Sequence, residues 1–190
     1  MKKLIVASLL FAFFCFGKTH AQYITVKTNG GSVVTDLGNE YKVNNGSTLK
    51  REWYTMNYAN CPVQLKDIGI QTAYDTKYMF TPKGDLTAKD SIVAYEVHHV
   101  LYDMFGRHIF SLRNFTCRNI IGKFKFNDFW SWAADLDGVS EYLICVSYVA
   151  YVRTADGKIW RFNPVDLRSE LSKLLLPYEE SYSPKLDTKK

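Results

Sequence analysis

Histidine is the side chain whose ordinary pKa lies nearest neutrality. In these 190 residues three histidines stand close together, His98, His99 and His108. In a strand, adjacent side chains point to opposite faces, so His98 and His99 cannot jointly hold one ion or serve one centre. His108 lies across an expected hairpin and can approach one of them. Two histidines and a carboxylate would suit zinc and metal-assisted hydrolysis, but no third ligand has a diagnostic spacing. The expectation is one histidine facing solvent and one partly buried, with no catalytic residue, metal or cofactor assigned.

The remaining candidates read in a similar way. Asp135-x-Asp137-Gly138 echoes the start of a calcium loop but lacks the later ligands, and an Asx-stabilised turn explains it. If Phe129-Trp130-Ser131-Trp132 is extended, Trp130 and Trp132 share a face and could stack on sugar rings, with Asn127 and Asp128 nearby. The plainer account places them at the end of the core. Nucleophile elbows are missing, and Asn29-Gly30-Gly31 precedes no phosphate-binding helix. Glu179-Glu180 falls in an expected tail, where a carboxylate pair cannot be held in place.

Residues 1–21 read as a secretory signal peptide. Lys2 and Lys3 precede the apolar run Leu4–Phe16, and Thr19-His20-Ala21 ends in the small residue that the peptidase requires before Gln22. Lys18 keeps the run too short for a retained transmembrane anchor. Lipidation at Cys15 is disfavoured by bulky Phe13 and Phe14. The mature chain is then expected in the periplasm, at the cell surface or in the medium of a bacterium. Losing Lys2, Lys3 and Lys18 from 24 basic residues leaves 21 against 19 acidic, a net +2, with no electrostatic case for nucleic acid. Cys61, Cys117 and Cys145 remain, allowing at most one disulfide among three pairings. Cys145 within an apolar strand is equally natural as a buried thiol.

The elements that would position these residues are mostly strands. Gln22 to Val26 is a first strand, and a Gly/Asn-rich stretch completes an N-terminal segment, 22–50. Residues 51–176 form the domain, and 177–190 a flexible tail. Trp53–Tyr58 and Val63–Tyr74 read as strands, with a parity shift that implies a bulge near Lys66-Asp67. Thr81-Pro82-Lys83-Gly84-Asp85 signals a turn. Ser91–Tyr102 and Arg107–Cys117 make a hairpin about Asp103–Gly106. Ile120–Phe126 is a strand bent at Gly122. Val139–Arg153 turns through Asp156-Gly157 into Lys158–Phe162. One helix stands out, with Asn163 as N-cap, Pro164 in its first turn, Leu167, Leu171, Leu174 and Leu175 on one face, and Pro177 as its stop. An antiparallel β-sandwich with one C-terminal helix follows.

Asn60-Cys61-Pro62-Val63-Gln64-Leu65, Ala94-Tyr95-Glu96-Val97, Asp103-Met104-Phe105-Gly106 and the closing stretch Val149–Trp160 resemble secreted bacterial immunoglobulin-like and fibronectin type III-like domains. The resemblance spans about residues 51–176. It implies an immunoglobulin-like fold and an exported setting, and no catalytic residues. The functional expectation is a non-enzymatic interaction or envelope-associated module with an unknown protein or glycan partner. A carbohydrate-binding module using Trp130 and Trp132, or a His-dependent hydrolase, is the alternative.

Overall fold

The computed structural model describes residues 28–29, 32–33, 40–42, 48–75, 77–125 and 131–182. The signal segment 1–21, the expected first strand at Gln22–Val26, Trp130 and residues 183–190 lie outside them. The described chain is mostly β. Two short pairs, β1 (Thr28–Asn29) with β2 (Ser32–Val33) and β3 (Glu40–Lys42) with β4 (Thr48–Lys50), precede one seven-stranded sheet.

That sheet is organised by β7, which runs unbroken from Lys77 to Asp103. Twenty-seven extended residues would measure about 90 Å if straight, far more than a small domain can hold, so the strand must bend and divide its partners. Along one edge it pairs first with β6 (Val63–Asp75) and then with β10 (Tyr142–Thr154). Along the other it pairs with β9 (Trp132–Ala134) and then with β8 (His108–Lys125). The expected turn at Thr81–Asp85 is a continuous part of β7. Pro82 falls between the stretches paired with β9 and β8, where the second edge asks for no backbone donor. Gly84, at φ 141°, and the register shift opposite it between Lys66 and Gly69 kink the ribbon without reversing it. The bulge expected near Lys66-Asp67 is there, with Asp67 at φ 52°.

The sequence points to antiparallel pairing throughout, whereas this sheet is mixed. β5 (Glu52–Met56) runs parallel to β10, while β11 (Ile159–Arg161) pairs antiparallel on the same edge of β10. Side chains then tie β5 to β6. Asn57 Nδ2 donates to the Leu65 carbonyl, and its Oδ1 accepts from the Leu65 amide, both at 2.8 Å, in place of a backbone ladder. Thr55 Oγ1 accepts from Ile68 N, released by the bulge. Strands β6, β7, β10 and β5 thus curl into a half-barrel.

Its concave face holds two apolar clusters, one around Val63, Leu65, Ile92, Val97 and Val149, the other around Ile70, Phe80, Leu101, Tyr142 and Cys145. The convex face carries Val100, Tyr102, Val146 and Tyr148, covered by helix α2 (Pro164–Lys173) through Leu167 and Leu171. Asn163 caps this helix by accepting from Val165 N, as its sequence signature requires. The helix ends before Pro177. Leu175 is left-handed at φ 57°, and Leu176 N and Leu175 N donate back to the carbonyls of Leu171 and Ser172, a Schellman ending. Residues 177–182, expected in the tail, are packed, with Tyr178 buried and the Pro177 carbonyl accepting from Tyr102 Oη. A second, six-residue helix α1 (Leu136–Glu141) stands where a turn and the start of a strand were expected. Asp135 caps it, accepting from Gly138 N at 2.7 Å, so the calcium-like sequence serves as a helix start.

Candidate functional site

Alternation along β7 puts Ala94, Glu96, His98, Val100 and Tyr102 on the convex face, and Tyr95, Val97, His99 and Leu101 on the concave one. His98 and His99 therefore separate, as strand geometry demands. Neither faces solvent, as one was expected to, because both faces of the sheet are covered here and both rings are buried. His99 is fully buried, with Nδ1 at 2.8 Å from Ser147 Oγ and its ring edge against Trp132. Burial, with a smaller contribution from His98, pushes its pKa down to about 3, so it is neutral. His108 sits opposite Tyr102, bonded to Ser111 and stacked on Tyr182 at 3.9 Å, away from the other two. Among the described residues no three His, Cys, Asp or Glu side chains gather as a metal site.

His98 has a partner the sequence reading overlooked. Its Nε2 lies 2.6 Å from Glu96 Oε1, and its Nδ1 lies 3.1 Å from Tyr148 Oη. Arg113 on β8, directly across from His98, donates through Nε to Glu96 Oε2 at 2.7 Å. Burial alone would raise the Glu96 pKa, but the His98 and Arg113 hydrogen bonds outweigh it and hold the carboxyl below its usual range. Both carboxylate oxygens and both ring nitrogens are engaged, and Tyr148 is fully buried. The arrangement fixes a charge in the sheet. The signal was present in the sequence, because Glu96-x-His98 in a strand shares a face.

Helix α2 covers only part of the convex face. Beyond it Ala94, Glu96, Phe115, Cys117, Tyr151, Arg153 and Ile159 line an open groove of about 370 Å³. Phe115, Tyr151 and Ile159 are 42, 39 and 54 % exposed, unusual for large apolar groups neighbouring one another on a rigid sheet. Arginines interleave with them. Arg113 lies 5.6 Å from the Phe115 ring centroid and Arg161 lies 5.9 Å from that of Tyr151, while Arg153 and Arg161 are exposed. Glu96, the one carboxylate in the groove lining, is offset by its ion pair with Arg113. The open face is thus apolar at its centre and positive at its rim.

Other predicted residues fall elsewhere. Trp132 is half-buried, packed on the concave cluster with Phe80 and Leu101. Cys61 and Cys145 are buried free thiols, raised by burial to about 11 and about 12, and Cys117 is an exposed free thiol on the open face. No helix among the described residues is long and apolar enough to cross a membrane. Comparison with protein-family models, with curated proteins and with solved structures finds no match to this chain.

Proposed function

We propose that this protein is an exported, non-enzymatic binding module that docks an acidic, apolar protein segment on the open half of its convex face. One observation carries the reading: exposed Phe115, Tyr151 and Ile159 lie beside Arg153 and Arg161 on a groove whose one carboxylate, Glu96, is already paired with Arg113. An extended segment alternating acidic and apolar side chains complements that surface, with the apolar groups filling the centre and the carboxylates meeting the rim. The likeness to immunoglobulin-like and fibronectin type III-like exported domains lies, in this proposal, in a sheet that displays one face for recognition. Export rests on the charged start, apolar run and small-residue exit of residues 1–21.

The test is a calorimetric titration of the mature chain with synthetic peptides alternating Glu with Phe and Leu. Binding that weakens about tenfold in the Arg153→Glu, Arg161→Glu double variant supports the proposal, since two rim charges at about 0.7 kcal/mol each give that ratio. Equal binding of a peptide with Lys in place of Glu would overturn it, and so would no binding at all.

A further inference from the structure

A second concavity lies at the other side of Ile159, between the Asp90-Ser91 stretch of β7 and the β10–β11 hairpin. It measures about 530 Å³, within the range of small-molecule sites. Pro62, Asp90, Ser91, Asp156, Lys158 and Trp160 are among the residues that line it. We propose that this cleft binds a neutral pyranose sugar, with Trp160 as its wall and the hairpin side chains as hydroxyl partners. This site is independent of the sheet-face reading and differs from the Trp130 and Trp132 platform considered from sequence.

The wall is already fixed. Trp160 Nε1 donates to Asn60 Oδ1 at 3.3 Å, and its ring rests against Tyr58 with centroids 5.5 Å apart. A held aromatic offers a flat apolar surface to the C–H face of a sugar without ordering cost on binding. The polar side is preset as well. The Ala155 amide donates to the Ser91 carbonyl at 2.9 Å, tying the hairpin to β7, and the Thr154 amide donates to the Lys158 carbonyl at 3.0 Å, closing the hairpin's own turn. Asp156 accepts from the Thr154 hydroxyl and from Lys158 Nζ, the latter at 2.7 Å. Along the cleft there are therefore carboxylate acceptors at Asp90 and Asp156, an ammonium donor at Lys158 and hydroxyls at Ser91 and Thr154. Sugar hydroxyls each donate and accept, so neighbouring hydroxyls suit alternating acceptors and donors.

Charge narrows the ligand. Two carboxylates and one ammonium give the lining a net −1, and Lys89 turns its Nζ toward the Ala59 carbonyl instead. A uronic acid would meet the carboxylate excess of the lining itself, since Lys89 keeps its charge but lies outside that lining. The cleft and the sheet-face groove thus have opposite polarity and select different partners.

The experiment is a titration of the ¹⁵N-labelled mature chain with cellobiose, maltose and chitobiose, and with digalacturonate as the charged comparison. Amide shifts at residues 90–91 and 154–160 with at least one neutral disaccharide are expected. Asp156→Ala should raise that Kd at least fivefold, and because Asp156 is exposed in a turn this variant should keep the wild-type fold. Trp160→Phe should weaken binding while retaining the ring packing on Tyr58. No shifts with any neutral disaccharide, shifts confined to other residues, unchanged affinity in the Asp156 variant, or digalacturonate binding as tightly would each overturn the proposal.

Discussion

Acid should destabilise this fold through His99. In the folded protein its pKa is depressed to about 3, against about 6.5 for an exposed imidazole. A base held below its unfolded pKa contributes stability that is complete above about pH 6.5 and is lost as pH falls toward about 3, because only the unfolded chain takes up the proton. At about 1.4 kcal/mol for each pH unit, the window amounts to about 4 to 5 kcal/mol, a large share of a domain's total stability. His108, also lowered by burial, acts in the same direction. Glu96, held below its ordinary value of 4.5, adds a loss only at lower pH. Urea unfolding at a series of pH values reads the slope directly. The His99→Phe, Ser147→Ala pair, which removes the imidazole together with its Ser147 partner, should flatten the slope between about pH 6.5 and 5. A wild-type stability that is level across that interval, or an equal slope in the double variant, would refute the assignment.

Three further outcomes follow from local geometry. Leu175 is 90 % exposed at φ 57°, so Leu175→Gly should stabilise by about 0.5 to 1 kcal/mol, relief of left-handed strain exceeding the entropy glycine adds to the unfolded chain; a lowered Tm would contradict this. A Cβ at Gly69 would stand 1.8 Å from Trp53 Cδ2, so Gly69→Ala should displace the ring, break its 3.0 Å bond to Tyr142 Oη and cost about 3 kcal/mol in urea unfolding. Trp132→Ala should cost about 2 to 3 kcal/mol, less than a fully buried tryptophan, and leave the affinity for any disaccharide unchanged; a lost sugar affinity in a normally stable variant would restore Trp132 as a sugar platform.

The features legible in the sequence were those fixed within a few residues. Asn163-Pro164 and the leucine spacing located α2, and Asp-Gly in Asp156-Gly157 located a hairpin. The parity shift in β6 located its bulge. Longer-range features were hidden. Pro82 and Gly84 signal a turn unless one knows that an unpaired edge of β7 receives them. The parallel pairing of β5 with β10 joins residues about ninety positions apart, and nothing local distinguishes it from an antiparallel pair. The open groove exists only because α2 stops short of covering the sheet, which the apolar pattern of β8 and β10 cannot reveal. Glu96 and His98 could have been placed together, two residues apart in a strand, but Arg113 needed the β7–β8 register.

Cys117 offers a direct view of the central claim, because its exposed thiol lines the convex groove while Cys61 and Cys145 are buried internal references. Alkylation of the folded mature chain by iodoacetamide, followed by mass spectrometry, should modify Cys117 first. A saturating Glu/Phe/Leu peptide should slow that modification severalfold and leave Cys61 and Cys145 unreactive. An unchanged Cys117 rate in the presence of bound peptide would place the docking surface elsewhere and contradict the account.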